Sequence, residues 1–419
     1  MKRLPSMLRC AVWMVCVLFM TWPGYGQGFL HTQDKKILDG SGQEVLLRGI
    51  GLGGWMLQEP YMLHLSGIAV NQKDIRAKIT ALIGKERTAQ FYAEWLKDGM
   101  QKSDVDSLKA WGFNSIRLPM HYDLFTLPVE EETVPTGDTW LKTGFELTDS
   151  LLNWCAADHI YLILDLHAAP GGQGHDLAIS DRDSTKPSLW QLPANQAKVV
   201  ALWKRLAERY RDAPWIGGYD LLNEPNWSFE HPENKKDHGC DDTSNAPLKA
   251  LYENITRAIR SVDSNHIIFV EGNCFANNYA GLMPPWDNNM VVSFHKYWNR
   301  NDVASIQKFL DIRDRYHVPL WLGESGENND GWYRDAIALV EGHDIGWSWW
   351  PLKKIGKNNP FAANMPPGFE KVIRYWKGKG AKPSAEEAFQ SLMQLAESFS
   401  TAELVVRHDV LEAMFGKKD

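Results

Sequence analysis

Two glutamates follow apolar segments of the chain and could act together. Glu224 comes just after Gly217–Leu222, and Glu324 comes just after Pro319–Leu322, 100 residues later. Two carboxyl groups, one protonated and one ionised, can cleave a glycosidic bond by acid/base and nucleophilic catalysis. The alternative is that each glutamate only pairs with a neighbouring cation inside the fold. Catalysis therefore requires two different environments for the two side chains.

Ionisable and aromatic residues also end other apolar segments. Six such segments end in groups of this kind, and burying them is costly unless they are paired or used. Arg117 could supply a cation that keeps one carboxylate ionised. The residues at these ends are Arg117, Asp165, His167, Asn223, Glu224, His295, Tyr297, Glu324, Trp349 and Trp350.

Eight short apolar segments alternate with longer helical patterns. Strands that are apolar on both faces, with helices between them, form parallel sheets covered by helices. Eight such units predict an α/β fold of the closed (β/α)8 barrel (TIM barrel) type, whose active-site groups lie at the C-terminal ends of the strands. The predicted strands are Val45–Ile50, Ser115–Leu118, Tyr161–Leu166, Gly217–Leu222, Ile267–Val270, Val291–Phe294, Pro319–Leu322 and Gly346–Trp349.

Three additions to the barrel are predicted. A glycine-rich turn between two apolar runs in Ile37–Leu47 indicates an N-terminal hairpin. Residues 71–100 form a helical insertion between the first two barrel strands, and residues 361–419 a helical C-terminal extension. The pattern Gly49-x-Gly51-x-x-Gly54 matches a dinucleotide-binding fingerprint, but the next strand begins too late to close a βαβ unit of about 30 residues.

The N-terminal residues resemble a signal peptide. Basic residues precede the apolar run Ala11–Met20, and the small residues Gly24 and Gly26 follow it. We therefore expect residues 1–26 to be removed, residues 27–419 to form one catalytic domain, and the protein to be secreted to the periplasm or the medium. A retained signal anchor is the alternative.

Composition limits the partners. A formal net charge of −7 gives no reason to expect nucleic acid or an anionic membrane as partner, and 19 tryptophans favour carbohydrate. After signal cleavage three cysteines remain, an odd number that leaves at least one free thiol. Cys155 lies in a helical pattern and is expected to be the buried thiol. Whether Cys240 and Cys274 form a disulfide remains an open question.

Six motifs at the strand ends, in chain order, resemble glycoside hydrolase family 5, the cellulase-like retaining enzymes with a (β/α)8 barrel. They are Ile-Arg-Leu-Pro, Leu-Asp-Leu-His-Ala-Ala-Pro-Gly, Leu-Leu-Asn-Glu-Pro, Phe-His-Lys-Tyr, Leu-Gly-Glu-Ser-Gly and Trp-Ser-Trp-Trp. The resemblance extends from about Val45 to Lys353. Asn-Glu-Pro alone occurs in related barrel families, whereas the six motifs together are specific.

The resemblance implies a role for each matching residue. Glu224 would be the acid/base and Glu324 the nucleophile. Asn223 would donate to the 2-hydroxyl of the sugar at subsite −1. The remaining residues would orient the nucleophile (Arg117 and Tyr297), line subsite −1 (His167 and His295) and stack beneath the sugar (Trp350). No cofactor or metal is implied.

The first strand resembles the exo-β-1,3-glucanase branch of the family. The run Arg48–Trp55, followed by Glu59, is similar to a segment whose glutamate binds hydroxyls of a terminal glucose. Glu59 and Trp55 are therefore candidate sugar-binding residues. Three further tryptophans follow strand ends and are candidates for stacking on sugars: Trp227, Trp298 and Trp332.

We therefore expect a monomeric, secreted hydrolase that cleaves β-glucan with retention, foremost as an endo-β-1,4-glucanase. Exo- or endo-β-1,3-glucanase, mannanase and xyloglucanase activities are alternatives, because the family shares its −1 machinery and its loops set specificity. A catalytically inactive sugar-binding barrel and a metal-dependent barrel hydrolase are further alternatives. The first conflicts with the presence of both glutamates, and the second with the absence of a His-x-His pair on the first strand.

Overall fold

Eight parallel strands close into a barrel at the centre of the structure, a computed structural model that describes residues 28–134 and 137–417. The barrel closes because β10 pairs with both β3 and β9. The strands, in chain order, are β1 (His31–Gln33), β2 (Lys36–Leu38), β3 (Arg48–Gly51), β4 (Ser115–His121), β5 (Tyr161–Ala168), β6 (Ile216–Asp220), β7 (Ile267–Glu271), β8 (Met290–Lys296), β9 (Leu320–Gly326), β10 (Gly346–Trp350), β11 (Lys353–Ile355), β12 (Phe361–Ala363) and β13 (Val405–Val406). Strands β3–β10 form the barrel, which confirms the predicted (β/α)8 fold.

Helices cover the outside of the barrel and bury one apolar face each. On α7, Leu248, Leu251, Ile255 and Ile259 are buried at the three- and four-residue spacing of an amphipathic helix. The helices are α1 (Gln72–Ile83), α2 (Lys85–Asp98), α3 (Lys102–Trp111), α4 (Lys142–Ala157), α5 (Leu177–Ser180), α6 (Pro193–Tyr210), α7 (Ala246–Arg260), α8 (Asn273–Ala276), α9 (Val303–Tyr316), α10 (Asp330–Glu341), α11 (Pro367–Trp376), α12 (Ala385–Glu397) and α13 (His408–Phe415). Among the described residues, none of these helices is both long enough and apolar enough to span a membrane.

The glycine-rich turn after Ile37 forms as predicted, and a second hairpin precedes it. Strands β1 and β2 pair with each other. In the segment that follows, Leu38 and Glu44 form an antiparallel bridge, and backbone hydrogen bonds join Asp39 to Gln43 and Val45 to Ile37. The Asp39 carboxylate also accepts hydrogen bonds from the N–H groups of Ser41 and Gln43, which closes the turn. The hairpin covers the N-terminal end of the barrel. The predicted signal peptide, residues 1–26, lies outside the described residues.

The predicted insertion and C-terminal extension share a second hydrophobic core. Helices α1 and α2 pack against α12, where Trp95 contacts Phe399 with ring centroids 4.7 Å apart. The extension is not entirely helical, because β12 and β13 join β11 in a three-stranded sheet. Buried Lys353 links the extension to the barrel by donating to Asp104 at 2.6 Å and to the carbonyl of Phe399 at 2.9 Å.

Several strands end at different residues than predicted. Strand β8 continues to Lys296 and β9 to Gly326, so His295 and Glu324 lie within strands rather than beyond them. Strand β6 ends at Asp220, and Glu224 therefore lies in the loop that follows. The pairing of β8 with β9 shifts register at His295, an irregularity that the residue pattern does not reveal.

A disulfide joins Cys240 to Cys274, which settles the pairing that the sequence left open. It connects the loop after β6 to the turn after β7. Cys155 is a buried free thiol, as predicted, and its burial raises the pKa of the thiol.

Candidate active site

The C-terminal ends of the barrel strands surround a cavity of about 670 Å³. This is the face on which barrel enzymes place their active sites, and the volume lies in the range typical of ligand pockets. Both glutamates of the predicted pair line the cavity. The lining residues are Glu59, Tyr61, His167, Ile179, Glu224, Phe275, Asn277, His295, Tyr297, Trp298, Glu324, Glu327 and Trp350.

Arg117 occupies the floor beneath this cavity and is completely buried. Its guanidinium donates to Asp220 at 3.0 Å, to Glu271 at 2.9 Å and to Glu324 at 2.8 Å. It lies 3.2 Å from Asp165 as well. These carboxyl groups raise the pKa of Arg117 and outweigh the opposing effect of burial. The cation is therefore permanent and holds four strands in one charge network.

Glu324 is oriented by two donors. Arg117 Nη1 donates to Oε2 at 2.8 Å, and the Tyr297 hydroxyl donates to Oε1 at 2.7 Å. The two oxygens are thus held by different groups, which fixes the plane of the carboxylate at the cavity wall. The predicted role of Arg117 and Tyr297 in orienting Glu324 is consistent with this geometry.

Glu224 lies in a different environment. His295 Nδ1 lies 2.7 Å from its Oε1, and its backbone N–H donates to Glu271 at 2.7 Å. Its φ of +41° is unusual for a residue with a Cβ and marks a constrained turn. Burial raises the pKa of Glu224 to about 7, against the lowering effect of the bond to His295. The group therefore holds a proton at mildly acidic pH.

The two glutamates are close to each other. One carboxylate oxygen of Glu224, one of Glu324 and a ring nitrogen of His295 all lie within 4.8 Å of one another. Among the residues that the structure describes, this is the one group whose donor types and spacing could hold a metal ion. Arg117 at 2.8 Å from Glu324 would compete with a cation there.

His167 and Trp350 form one wall of the cavity, and Asn223 is fully buried against His167. The Asn223 amide oxygen accepts from Arg117, so its nitrogen donates to His167 Nε2 at 3.2 Å. His167 Nδ1 then carries the hydrogen and donates to Asp165 at 2.7 Å. Burial lowers the pKa of His167 to about 3, so the ring is neutral. The Trp350 ring is stacked parallel to it, 5.1 Å away.

Further polar groups line the cavity next to Trp350. The Trp350 N–H donates to the Tyr61 hydroxyl at 2.9 Å, and this hydroxyl donates to Glu327 at 3.2 Å. Lys354 pairs with Glu327. Glu59 also lines the cavity, with 8% of its surface exposed, and its carboxyl group has no hydrogen-bond partner among the described residues. Burial and the charges of Glu324 and Glu224 raise the pKa of Glu59 well above its usual range.

Three of the candidate tryptophans do not reach the cavity. Trp55 is buried beneath it and donates to the carbonyl of Leu96 at 2.8 Å, so its indole packs between the barrel and the insertion. Trp227 is buried and stacks on His175 at 4.0 Å. Trp332 donates to the carbonyl of Asn299. The first two predictions of sugar contact are corrected, because neither ring is exposed. Trp298 does line the cavity.

The sequence analysis missed Glu271, Tyr61 and Glu327. Glu271 ends the strand after the apolar run Ile267–Val270, so the rule that found Glu224 would have found it as well. Tyr61 and Glu327 lie in loops, where no periodic pattern indicates the direction of a side chain. Asp220 was not predicted because it falls inside the predicted strand Gly217–Leu222, whereas β6 ends at this residue and its carboxylate accepts a hydrogen bond from Arg117.

Comparison with known proteins supports the resemblance. The sequence model described as Cellulase (glycosyl hydrolase family 5) matches residues 72–356. A protein named beta-xylosidase from Phanerodontia chrysosporium is 30% identical over 365 residues, covering 78% of this chain and 71% of that protein. Endoglucanase C from Acetivibrio thermocellus is 23% identical over 369 residues, covering 73% of this chain and 91% of that protein.

Two further similarities concern linkage and fold. Glucan 1,3-beta-glucosidase from Blumeria graminis is 26% identical over 273 residues, covering 62% of this chain and 57% of that protein. The structure of Thermotoga maritima Cel5A in complex with cellobiose matches with a TM-score of 0.54 at 16% identity, covering 88% of this chain and 98% of that one. The structural match bears on the fold alone.

The raised pKa of Glu224 leads to a direct prediction. In protein carrying ¹³C-labelled glutamate side chains, the Glu224 carboxyl resonance should titrate near pH 7, assigned by its loss in Glu224→Gln. Because the proton is lost as the pH rises through this pKa, kcat/KM should fall above about pH 7 if Glu224 is the general acid. A midpoint near the ordinary glutamate value of about 4.3 would contradict the described environment.

Proposed function

Because the chain belongs to the cellulase family of glycosyl hydrolases, family 5, we propose that it hydrolyses β-linked glucan by double displacement, with Glu324 as nucleophile and Glu224 as acid/base. The observation that carries this proposal is that one carboxyl oxygen of Glu224 lies within 4.8 Å of one of Glu324. Retaining enzymes hold their carboxyl groups about 5–5.5 Å apart, whereas inverting enzymes leave roughly 6.5–9.5 Å for a water molecule.

In the first step, an oxygen of Glu324 attacks the anomeric carbon of the sugar at subsite −1. The bond from that carbon to the leaving oxygen breaks, and Glu224 transfers its proton to this oxygen. A pKa of about 7 keeps Glu224 protonated at mildly acidic pH. The Tyr297 hydroxyl and Arg117 hold the attacking carboxylate in place.

In the second step, the ionised Glu224 removes a proton from water, which attacks the anomeric carbon and displaces Glu324. Two inversions give net retention. His295 stabilises ionised Glu224, since its Nδ1 lies 2.7 Å from the carboxylate. Glu271 and other carboxylates raise the pKa of His295 well above its usual value, so the imidazolium remains charged through the cycle.

Three residues would bind the sugar at subsite −1. Asn223 would contact the 2-hydroxyl, His167 would line the −1 subsite as a neutral group, and Trp350 would stack beneath the ring. Arg117 and His167 hold both ends of the Asn223 amide, which fixes its direction. A fixed donor costs no reorganisation when charge develops in the transition state.

The polar groups next to Trp350 favour cleavage at a chain end. Glu59 lines the cavity, and its carboxyl group has no hydrogen-bond partner among the described residues, so it is free to bond to a ligand. Tyr61 and Glu327 add further polar atoms to the lining. A terminal sugar offers the free hydroxyls that such a lining can bind. We therefore propose exo-action, and the similarity to the glucan 1,3-beta-glucosidase makes β-1,3-glucan the first candidate substrate.

Endo-β-1,4-glucanase activity, which the sequence analysis placed first, is the second candidate. It is supported by the similarity to Endoglucanase C, which spans 91% of that protein. The similarity to the beta-xylosidase supports exo-action.

We propose that the enzyme is exported and folds as one catalytic domain of residues 27–419. The Cys240–Cys274 disulfide supports export, because such bonds persist in oxidising compartments. The core shared by α2 and α12 supports a single domain.

Azide should distinguish the two glutamates. With a 2,4-dinitrophenyl β-glucoside, Glu324→Gly should lower turnover by roughly 10⁴-fold or more, because no ester forms. Azide then displaces the aryl group directly and gives the α-glucosyl azide. In Glu224→Ala the ester still forms, and azide opens it to the β-glucosyl azide. The anomers are identified by NMR, with exposed Glu208→Ala as the unaffected control. The β-glucosyl azide from Glu324→Gly and the α-glucosyl azide from Glu224→Ala would refute the assignment of nucleophile and acid/base.

The product profile should decide the mode of cleavage. Laminarin should release glucose alone from the earliest times, as the β-anomer, while carboxymethylcellulose keeps its viscosity. Glu59→Ala should lower kcat/KM on laminarin by about 10- to 100-fold, since a hydrogen bond to a buried acid is lost. Early mixed oligosaccharides from barley β-glucan or carboxymethylcellulose would instead support the endo-β-1,4 alternative.

A further inference from the structure

The turn after β7 has a backbone conformation that its residues disfavour. Cys274 (φ 54°, ψ 57°), Phe275 (φ 56°, ψ 51°) and Ala276 (φ 61°) are three consecutive non-glycine residues in the left-handed region. Residues with a Cβ visit this region singly and rarely, because the Cβ approaches the following carbonyl oxygen. Such a turn persists only where the surrounding structure holds it.

A covalent bond holds this turn. The Cys240–Cys274 disulfide fixes its first left-handed residue to the loop after β6. Hydrogen bonds tie the same loop to the end of the turn, because the side chain of Asn278, two residues after Ala276, donates to the carbonyls of Gly239 and Asp242 at 2.9 and 2.8 Å. The left-handed residues are therefore held to this loop by a covalent bond at their start and by hydrogen bonds beyond their end.

The turn places Phe275 in the cavity on the side of Glu224. The N–H of Phe275 donates to the carbonyl of Pro225, which directly follows Glu224, at 3.2 Å. Asn277 donates from its side chain to the carbonyl of Phe275 at 2.7 Å and to that of His295 at 3.3 Å. These bonds hold the backbone of Phe275 beside the loop of Glu224 and the end of β8, while its ring lines the cavity and packs on His238, with ring centroids 5.0 Å apart.

A second aromatic ring lines the cavity with Phe275. Trp298 follows β8, is 70% exposed and has a φ of 59°. Its exposed indole gives the cavity a second flat apolar surface. Glu224 protonates the leaving oxygen, so the displaced sugar departs on the side of Glu224, where Phe275 lies.

We propose that the Cys240–Cys274 disulfide is a positioning element of the leaving-group subsite: it holds the left-handed turn that presents Phe275 to the displaced sugar. This inference rests on the proposed retaining mechanism. Without the disulfide the turn relaxes toward ordinary backbone angles, and Phe275 moves out of the cavity. The chemistry at the −1 sugar is left intact, because neither cysteine contacts Glu224 or Glu324.

Two glycosyl donors distinguish the −1 subsite from the leaving-group subsite. β-Glucosyl fluoride places no ring on the leaving-group side, whereas laminaribiose places a sugar there. An added aryl glucoside acceptor must also bind on that side to intercept the glucosyl-enzyme. The ratio of transglycosylation to hydrolysis from the fluoride therefore reports on the leaving-group subsite alone. A wild-type enzyme that does not turn over the fluoride would count against the proposed function rather than this inference.

The double variant C240S/C274S should hydrolyse the fluoride like the wild type. Its kcat/KM on laminaribiose and its transglycosylation ratio should both fall about 3- to 10-fold, the effect of losing one aromatic contact. F275A, which keeps the disulfide, should show the same two losses. Thermal unfolding of each variant checks that it is folded at the assay temperature.

The triple variant C240S/C274S/F275A provides the decisive comparison. If the disulfide acts through Phe275, the triple variant should lose no more than F275A alone, because coupled residues are not additive. Additive losses, or equal losses on fluoride and laminaribiose, would show that the disulfide only stabilises the fold. Unchanged laminaribiose turnover in F275A would overturn the inference even if the cysteine variant does not fold.

Discussion

The active site depends on one buried cation. Arg117 is inaccessible to solvent and lies within 3.2 Å of Asp165, Asp220, Glu271 and Glu324. A guanidinium in this position is tolerable only with such partners, and removing it would leave several carboxyl groups buried without a cation. The partners come from four strands, so only the closed barrel brings them together. The barrel and the site are therefore specified by the same contacts.

Unequal sharing of positive charge sets the two glutamates apart. Arg117 and a protonated His295 are the cations of the network, and the carboxyl groups outnumber them. His295 and Arg117 outweigh the opposing effect of burial and lower the pKa of Glu271 to about 2, so it remains ionised. Glu324 has Arg117 and a phenol as direct donors. The Glu224 carboxyl group has only His295 as a cationic neighbour, and His295 also lies 3.3 Å from Glu271. The pKa of Glu224 therefore rises to about 7. Two chemically identical side chains thus lie in different electrostatic environments.

Much of the fold was predictable because parallel strands and their helices leave strong apolar patterns, and Glu224 and Glu324 followed from strand ends. Side chains whose position depends on loops were not predictable. Trp55 matched a motif but packs under the insertion, and Phe275 directly follows a cysteine whose disulfide the sequence left open. Glu271, in contrast, was predictable, because it directly follows the apolar run Ile267–Val270 at the end of a barrel strand. Local pattern locates strands, whereas contacts between loops determine which rings reach the cavity.

The central claim is that Glu324 is the carboxylate that bonds to the sugar. A 2-deoxy-2-fluoroglucosyl fluoride slows both steps and traps this ester. Intact-protein mass spectrometry should then show one added fluoroglucosyl group per chain, and peptide mapping should place it on Glu324. A label on Glu224 or Glu59 would contradict the account. So would continued turnover of substrate by fully labelled enzyme.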